Sequence, residues 1–593
     1  MIQYAVRRCS MNLKQSLRKD TGRTYLSIVH GYRDKDSGVV KTKTIRSLGY
    51  LDDLQKEYAD PVAHFREVAR QMSEEENLRR KVIMTINLNE ALPECTDNRK
   101  NLGYAAILKV YHDLKLDQYF NNNARDRSFE FNTNSVMIML VVSRLLSPGS
   151  KIKAYEERSR YFERFDFSPV DMYRTLSYFA TLVDDVQRHI NDQVKACYGP
   201  RDTKTIYYDV TNYYFEIDQE DDLRKKGFGK EHTNTPIVQM GLAMDADGIP
   251  LHYKLFPGNL PDKSTFRSII GEVRRKYDTG RIVVVGDMGI ITGDNIYYLI
   301  GKEKQDITQN GYVLSFSIRG GGEEFKKYVL DRSGYRGRDG KPVEDDTDFM
   351  IKSERIAREI YVTMQNGKTA TKIVYEKRIV FWGKKYADKA RAEREKLIIK
   401  ANALMKDPGK YKKATTYGAA KYVKNIDFDE KTGEVIDTGK TLIFDEAKIR
   451  DEEKYDGYYA IVTSEKEMTD AEIIETYRGL WEIEETFKVT KSTLEARPVY
   501  LSRPDRINAH FLTCFIALVI IRLLQKQTGR QYSSENIVEC LNRISCSHEQ
   551  ENIYLFDYRS EVSDAIGAAL GIDFSKKRLR LNEIKNIIGN SKK

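Results

Sequence analysis

Tryptophan occurs only twice in 593 residues, cysteine six times, histidine eight times and proline thirteen times. The cysteines (Cys9, Cys95, Cys197, Cys514, Cys540 and Cys546) are scattered, with no Cys-x-x-Cys pair. That argues against a zinc centre or a disulfide framework and fits a reducing compartment. The opening MIQYAVRRCS has no apolar h-region, so no secretory leader is expected there. The longest apolar run, Phe511 to Leu524, is interrupted by Thr513 and Arg522. It is expected to be too short for a membrane span and to form a buried helix. No internal repeat or low-complexity tract is visible. The expectation is a cytoplasmic protein with no membrane partner.

What is present is a globular composition, 40% hydrophobic and 31% charged, in a chain long enough for several domains. The net charge of +10 is uneven: residues 1–50 hold eleven Lys and Arg against three Asp, and residues 575–593 hold seven against one Glu. Two basic ends on a nearly neutral middle suggest a polyanionic partner, although charge of this size also serves solubility. Residues 23–33 and 39–48 are β-rich runs flanking the turn residues 34–38, which reads as a hairpin. Lys41, Lys43 and, past a shift, Arg46 alternate along the second run. They make either a basic nucleic-acid reader or a solvated strand face. A charged helical pattern follows from Asp52 to Lys81.

Residues 86–200 read as helices that pack together. At 205–217 the composition turns to that of a strand, with Asp209 inside TIYYDVTNYYFEI. Residues 237–257 form a hairpin about Asp247-Gly248. A helix then leads to RIVVVGDMG, an apolar strand ending on Asp287, which is where α/β folds place chemistry. Residues 320–455, with short β-runs and one charged helix, read as an inserted β-rich domain. The expected organisation is a basic hairpin and helix over 1–85, a helical region over 86–200, and the first part of a mixed α/β core over 201–319. The insertion over 320–455, the second part of the core over 456–530 and a basic helical region over 531–593 complete it.

The second core segment carries TDAEIIETYRGLWEIEETFKVTK, Thr469 to Lys491. Thr469 with Glu472 forms a capping box, and the spacing predicts one amphipathic helix. Ile473, Ile474, Tyr477, Leu480, Trp481, Glu484, Phe487, Lys488 and Lys491 fall on one broad face, with Trp481 expected in the core. Glu484 and Lys488 are either an exposed i,i+4 pair or a metal-binding carboxylate beside phosphate-binding lysines. With Asp209 and Asp287 the chain offers three carboxylates at marked positions, among nearby acids of no marked role (Asp245, Asp247, Asp262, Asp294). Gathered together they would repel unless cations were bound. Hard oxygen ligands suit two Mg²⁺ or Mn²⁺ ions, the arrangement that drives phosphoryl displacement.

YYDVT, the stretch from Gly227 to Asn259, VVVGDMG, WEIEETFKVTK and ARPVY together resemble DDE-type insertion-sequence transposases of the group with a Tyr–Arg–Glu–Lys signature. The similarity covers most of the chain, the insertion by position more than by residues. Tyr477, Glu484 and Lys491 occupy the signature positions; Leu480 stands in place of the Arg, and Arg478 faces about 160° away on an ideal helix. The resemblance implies an RNase H-like core that cuts element ends and joins them to a target. Asp209, Asp287 and Glu484 would be metal ligands, and Tyr477, Lys488 and Lys491 phosphate contacts. It also implies a homodimer on paired terminal inverted repeats of double-stranded DNA, at the bacterial nucleoid. Lys230, Lys41 and Lys43 are further candidate DNA contacts; His232, near Lys230, and Trp382, a candidate base-stacking wedge, are weaker ones. A related metal-dependent nuclease and a DNA-binding protein without catalysis remain the alternatives.

Overall fold

In a computed structural model, Met11–Leu17 (β1), Thr24–Arg33 (β2) and Val40–Tyr50 (β3) form an antiparallel sheet in that order. The structure describes the chain apart from residues 1–10, 19–20, 34–39, 79–88, 90, 92–93, 95, 218, 228–234, 278, 291, 302–309, 344–346, 365, 407–417, 425–426, 429–434, 437–441 and 498. The expected turn at 34–38 lies outside those residues. The ladder shifts twice, so Val29 faces Thr44 while Ile28 faces Arg46. This is the extra-residue pattern of a β-bulge, and it accounts for the shift in the basic alternation. The helical stretch after β3 is broken into Leu51–Leu54 and Pro61–Leu78, because Pro61 starts a new helix. These elements belong to a unit spanning Met1–Thr96.

The second unit, Asp97–Lys593, opens on β4 (Arg99–Asn101) and a run of helices between Tyr104 and Tyr198. Then come β5 (Thr205–Tyr214), β6 (Ile237–Met244), β7 (Pro250–Pro257), β8 (Val283–Gly286) and β9 (Gly311–Phe316). They are followed by β10 (Phe349–Thr363) and β11 (Thr369–Gly383), by the short strands β12 (Val423–Lys424), β13 (Asp427–Phe428), β14 (Val435–Ile436) and β15 (Ile443–Phe444), and by β16 (Tyr458–Thr463). Eight of these make one mixed sheet in the order β10-β11-β16-β9-β8-β5-β6-β7. β9, β8 and β5 run parallel; the pairs on either side are antiparallel. The segment expected to be a separate insertion therefore contributes its two long strands to the central sheet, because β11 pairs with β16 over Lys377–Trp382.

Each face of the sheet is covered. Tyr208, Val284, Tyr312 and Leu314 pack under the helices Asp262–Tyr277 and Gly293–Ile300. Tyr207, Val285 and Val313 pack on the other side with the helical region. The centre of that side is Pro504–Gln527, a 24-residue helix that is 94% buried over its most apolar window. The apolar run is longer than the sequence suggested: by length and composition this helix could cross a membrane, but here it is enclosed by protein. The C-terminal region is not helical throughout; β17 (Ser545–His548), β18 (Ile553–Phe556) and β19 (Arg578–Arg580) join β4 in a four-stranded sheet.

Candidate active site

β5 and β8 are parallel, with Tyr208 opposite Gly286. The next residues are Asp209, still within β5, and Asp287, the first residue past β8, so the register puts these acids next in line on neighbouring strands. Side chains alternate along a strand. Asp209 therefore shares the face of Tyr207, and Asp287 that of Val285, the face covered by the helical region. Asp209 is half-buried and its Oδ1 accepts the Val210 amide at 2.7 Å. Asp287 is exposed. Its Oδ1 accepts the Met288 amide at 2.7 Å and the Ser315 hydroxyl, from neighbouring β9, at 2.8 Å.

The helix carrying Glu484 lies on this same face. Its start is the predicted capping box: the Glu472 amide donates to Thr469 Oγ1 at 3.2 Å, and the Thr469 amide to the Glu472 carboxylate at 2.8 Å. It is not one helix, however. Asp470–Arg478 and Trp481–Lys488 are separate, joined through Gly479, and Val489–Thr493 is a π-turn. The break sits where Tyr207 rises from β5: its hydroxyl donates to the Thr476 carbonyl at 3.1 Å, and a Cβ on Gly479 would lie 2.0 Å from it. Ile473, Ile474, Leu480, Ile483 and Phe487 are buried against the sheet and its neighbours, while Glu484 is exposed.

Tyr477 ties the two parts together. It is half-buried, and the charges of Asp287 and Glu484 both bear on its hydroxyl. Burial first, then those carboxylates, push its pKa up to about 12. Among the described residues no three carboxylate, histidine or cysteine groups are closed round one point as a finished metal centre. The donor chemistry nonetheless fits a hard divalent cation. Asp209, Asp287 and Glu484 all offer carboxylate oxygen on one face. Among the described residues Asp287 is anchored through Oδ1, by Met288 and Ser315.

Lys488 is exposed and pairs with Glu535 at 3.4 Å rather than with Glu484, so the i,i+4 reading does not hold. Lys491 places its ammonium 5.8 Å from the Tyr213 ring, on the strand of Asp209. Leu480 is buried, and Arg478 pairs with Glu475 at 3.5 Å on the exposed side of the helix. Trp481 is 55% exposed, contrary to the core position expected: it falls at the outer edge of the apolar stripe, one turn before Glu484. Trp382 is half-buried, with its indole N–H donating to the Asp456 carbonyl at 2.8 Å. Lys43 and Arg46 are exposed on β3. The Lys41 side chain, and Lys230 and His232 altogether, lie outside the described residues. The other nearby acids have structural partners: Asp245 pairs with Arg201 at 2.7 Å, Asp247 with Lys526 at 2.7 Å, and Asp294 accepts the Thr363 amide at 2.6 Å.

Two positioning residues escaped the sequence reading. Ser315 was visible as a lone hydroxyl in the strand YVLSFSI, but its partner is set by sheet order. Arg522 was noted only as an interruption. It donates from within the buried helix Pro504–Gln527 to Thr486 Oγ1 at 2.5 Å and to the Glu482 carbonyl at 3.1 Å, fastening the glutamate helix from behind.

A mixed sheet flanked by helices, with Asp209 within one of two adjacent parallel strands and Asp287 just past the other, is consistent with an RNase H-like fold. Comparison with known families narrows this. Residues 209–520 match the model of the transposase DDE domain, over half of the chain, starting at Asp209 itself. The chain belongs to that family of DDE-type insertion-sequence transposases. Residues 13–81 match the N-terminal domain of IS1634 family transposases. No curated relative matches the chain.

Proposed function

We propose that the protein cleaves the ends of an insertion sequence and joins the freed 3′-hydroxyls to target DNA by phosphoryl transfer at one site. Asp209, Asp287 and Glu484 would hold two divalent ions, Mg²⁺ or Mn²⁺. The observation that supports this best is the register of β5 and β8, in which Tyr208 lies opposite Gly286 and the next residues are Asp209 and Asp287. When bound, the ions would supply Lewis acidity at the phosphoryl oxygens.

The chain's own groups do the rest. Ser315 orients Asp287. Tyr477, with its pKa pushed up to about 12, keeps its proton at neutral pH and can donate it to a phosphate oxygen. Lys488 and Lys491 follow Glu484 by one and two turns and would place the DNA backbone. Such contacts position the strand without reading sequence. Lys41, Lys43 and Arg46 on β3, and Lys230, would extend the backbone contacts. The partners are double-stranded DNA, both terminal inverted repeats and target. The active form is a homodimer on paired ends, working at the bacterial nucleoid.

A strand-transfer assay on the element's terminal repeats with Mg²⁺ tests this. Joined product is the expected result. Cleavage without joining would make the protein a nuclease, and binding alone a DNA-binding derivative of a transposase.

A further inference from the structure

Behind the loop that follows the glutamate helix is a cavity of about 300 Å³ whose walls include Arg144, Lys151, Lys153, Glu495, Arg497 and His510. Two corners build it. One is the turn between the helices Thr133–Leu146 and Lys151–Glu156. The other is the chain after the π-turn, where Glu495 takes a φ of 40°. A non-glycine residue is strained in that left-handed position. The Leu494 and Glu495 carbonyls accept from Arg144 at 3.1 and 3.2 Å, and Arg497 stands 5.5 Å from the Tyr214 ring.

Lys151 is 6% exposed, and its ammonium lies 2.6 Å from His510 Nδ1. His510 Nε2 lies 3.2 Å from the Ala496 carbonyl. A carbonyl only accepts, so Nε2 carries the ring proton and the Nδ1 lone pair accepts from Lys151. That uses one of the ammonium's three N–H groups. Burial, and then Arg144, depress the lysine's pKa well below the ordinary range, and Cys514 is the other group whose charge bears on it. The carboxylate in the wall, Glu495, is exposed and offers no such support. Arg144 Nε is also buried without an acceptor among the described residues. A lysine so placed keeps its charge only with a counter-charge beside it, and the space beside Lys151 is where one fits.

We propose that this cavity seats a phosphate group, held by Lys151 from within and by Arg497 and Lys153 at its rim. Several cationic side chains line a space this small, which suits a compact anion with several acceptor oxygens, although Lys153 also reaches the Pro148 carbonyl at 3.4 Å and Glu157 at 4.0 Å. One source is a DNA backbone phosphate: Lys491 stands 5.8 Å from the Tyr213 ring and Arg497 5.5 Å from the ring of Tyr214, the next residue, so a DNA strand placed by Lys491 comes near this rim. The other source is free phosphate. The backbone source rests on the transposase reading; the free-phosphate source does not.

The test uses the full chain in EDTA, titrated with inorganic phosphate by calorimetry and thermal unfolding. Wild type is expected to bind. Lys151→Met and Arg497→Ala should each weaken binding at least tenfold, while Lys151→Arg retains it. Arg497 is half-buried at the rim, so that variant keeps the test sound if Lys151→Met fails to fold. A salt series on duplex DNA separates the sources. A slope lowered by about one in Arg497→Ala assigns the site to the backbone; an unchanged slope with lost phosphate binding assigns it to free phosphate. No phosphate binding by wild type, or undiminished binding by Lys151→Met and Arg497→Ala, overturns the proposal. Catalysis plays no part in these readouts, so this failure is distinct from failure of the transposase reading.

Discussion

The Ser315 hydroxyl donates to Asp287 Oδ1 at 2.8 Å, from the strand beside the one that Asp287 terminates. Ser315 sits on β9, the strand against which the helix Asp470–Arg478 packs, so this acid of the sheet is fastened beside the helix pair that carries Glu484. Groups that orient a metal ligand typically alter metal affinity by about 10- to 100-fold when removed. Ser315→Ala is therefore expected to raise the Mg²⁺ concentration for half-maximal cleavage by about that factor. Folding should be intact by circular dichroism. An unchanged Mg²⁺ requirement would remove Ser315 from the site.

Asp209, Asp287 and Glu484 are half-buried or exposed, and none is a keystone of the core. Replacing each with Ala should therefore leave folding and end binding near wild type. Loss of a cation site removes several kcal/mol of transition-state stabilisation, so cleavage should fall at least about a thousandfold. Gel-shift and cleavage assays on the same preparations decide this; a variant that still cuts near the wild-type rate loses its assignment.

Gly479 is where the glutamate helix passes over Tyr207. A Cβ there would meet the Tyr207 hydroxyl at 2.0 Å and its ring carbon Cζ at 2.4 Å. Gly479→Ala should cost about 1–3 kcal/mol, as overpacking does, and should reduce cleavage more than DNA binding because it shifts Glu484. Adding Tyr207→Leu should restore part of the stability, measured by urea unfolding. If the double variant is no more stable than Gly479→Ala, the contact is not the cause.

The strands of Asp209 and Asp287 were legible because β-branched and aromatic runs mark them, and the start of the glutamate helix because Thr469 and Glu472 cap it locally. Sheet order was not legible. That β10 and β11 extend the central sheet depends on pairing between residues some eighty positions apart, Lys377 with Thr463 among them, and no local pattern announces it. The break at Gly479 was missed for a related reason. A lone glycine costs a helix only about 1 kcal/mol, and the decisive contact comes from Tyr207, on a distant strand. Periodicity placed Trp481 on the right helix but could not tell the stripe's covered centre from its open edge.

Lys488 is held by Glu535 at 3.4 Å in the protein alone, with both side chains more than half exposed. A DNA phosphate approaching Glu484 would compete with that pair. Lys488→Ala should weaken DNA binding and lower the salt slope by about one. Glu535→Gln should do the reverse for affinity, tightening binding at low salt without changing cleavage chemistry. If Glu535→Gln binds DNA no better than wild type, Lys488 is not a phosphate contact.

Arg522 is 6% exposed, and besides Thr486 and the Glu482 carbonyl it faces the Glu482 carboxylate at 3.5 Å and the Glu485 carboxylate at 3.9 Å. Glu482 is already raised above the ordinary carboxylate range by its burial, with Arg522 and Arg530 opposing the rise. Removing the arginine from such a buried cluster typically costs about 3–5 kcal/mol, so Arg522→Met should unfold at markedly lower urea. The pH dependence has a definite sign. With Arg522 gone, Glu482 rises further, so the folded state binds a proton that the unfolded state does not between the ordinary Glu pKa and the raised one. Stability then falls as pH rises through that window and is regained below it. Urea unfolding of Arg522→Met across the acid range should show the deficit shrinking as pH falls. A deficit independent of pH would mean that Arg522 contributes through packing and its bonds to Thr486 rather than through charge.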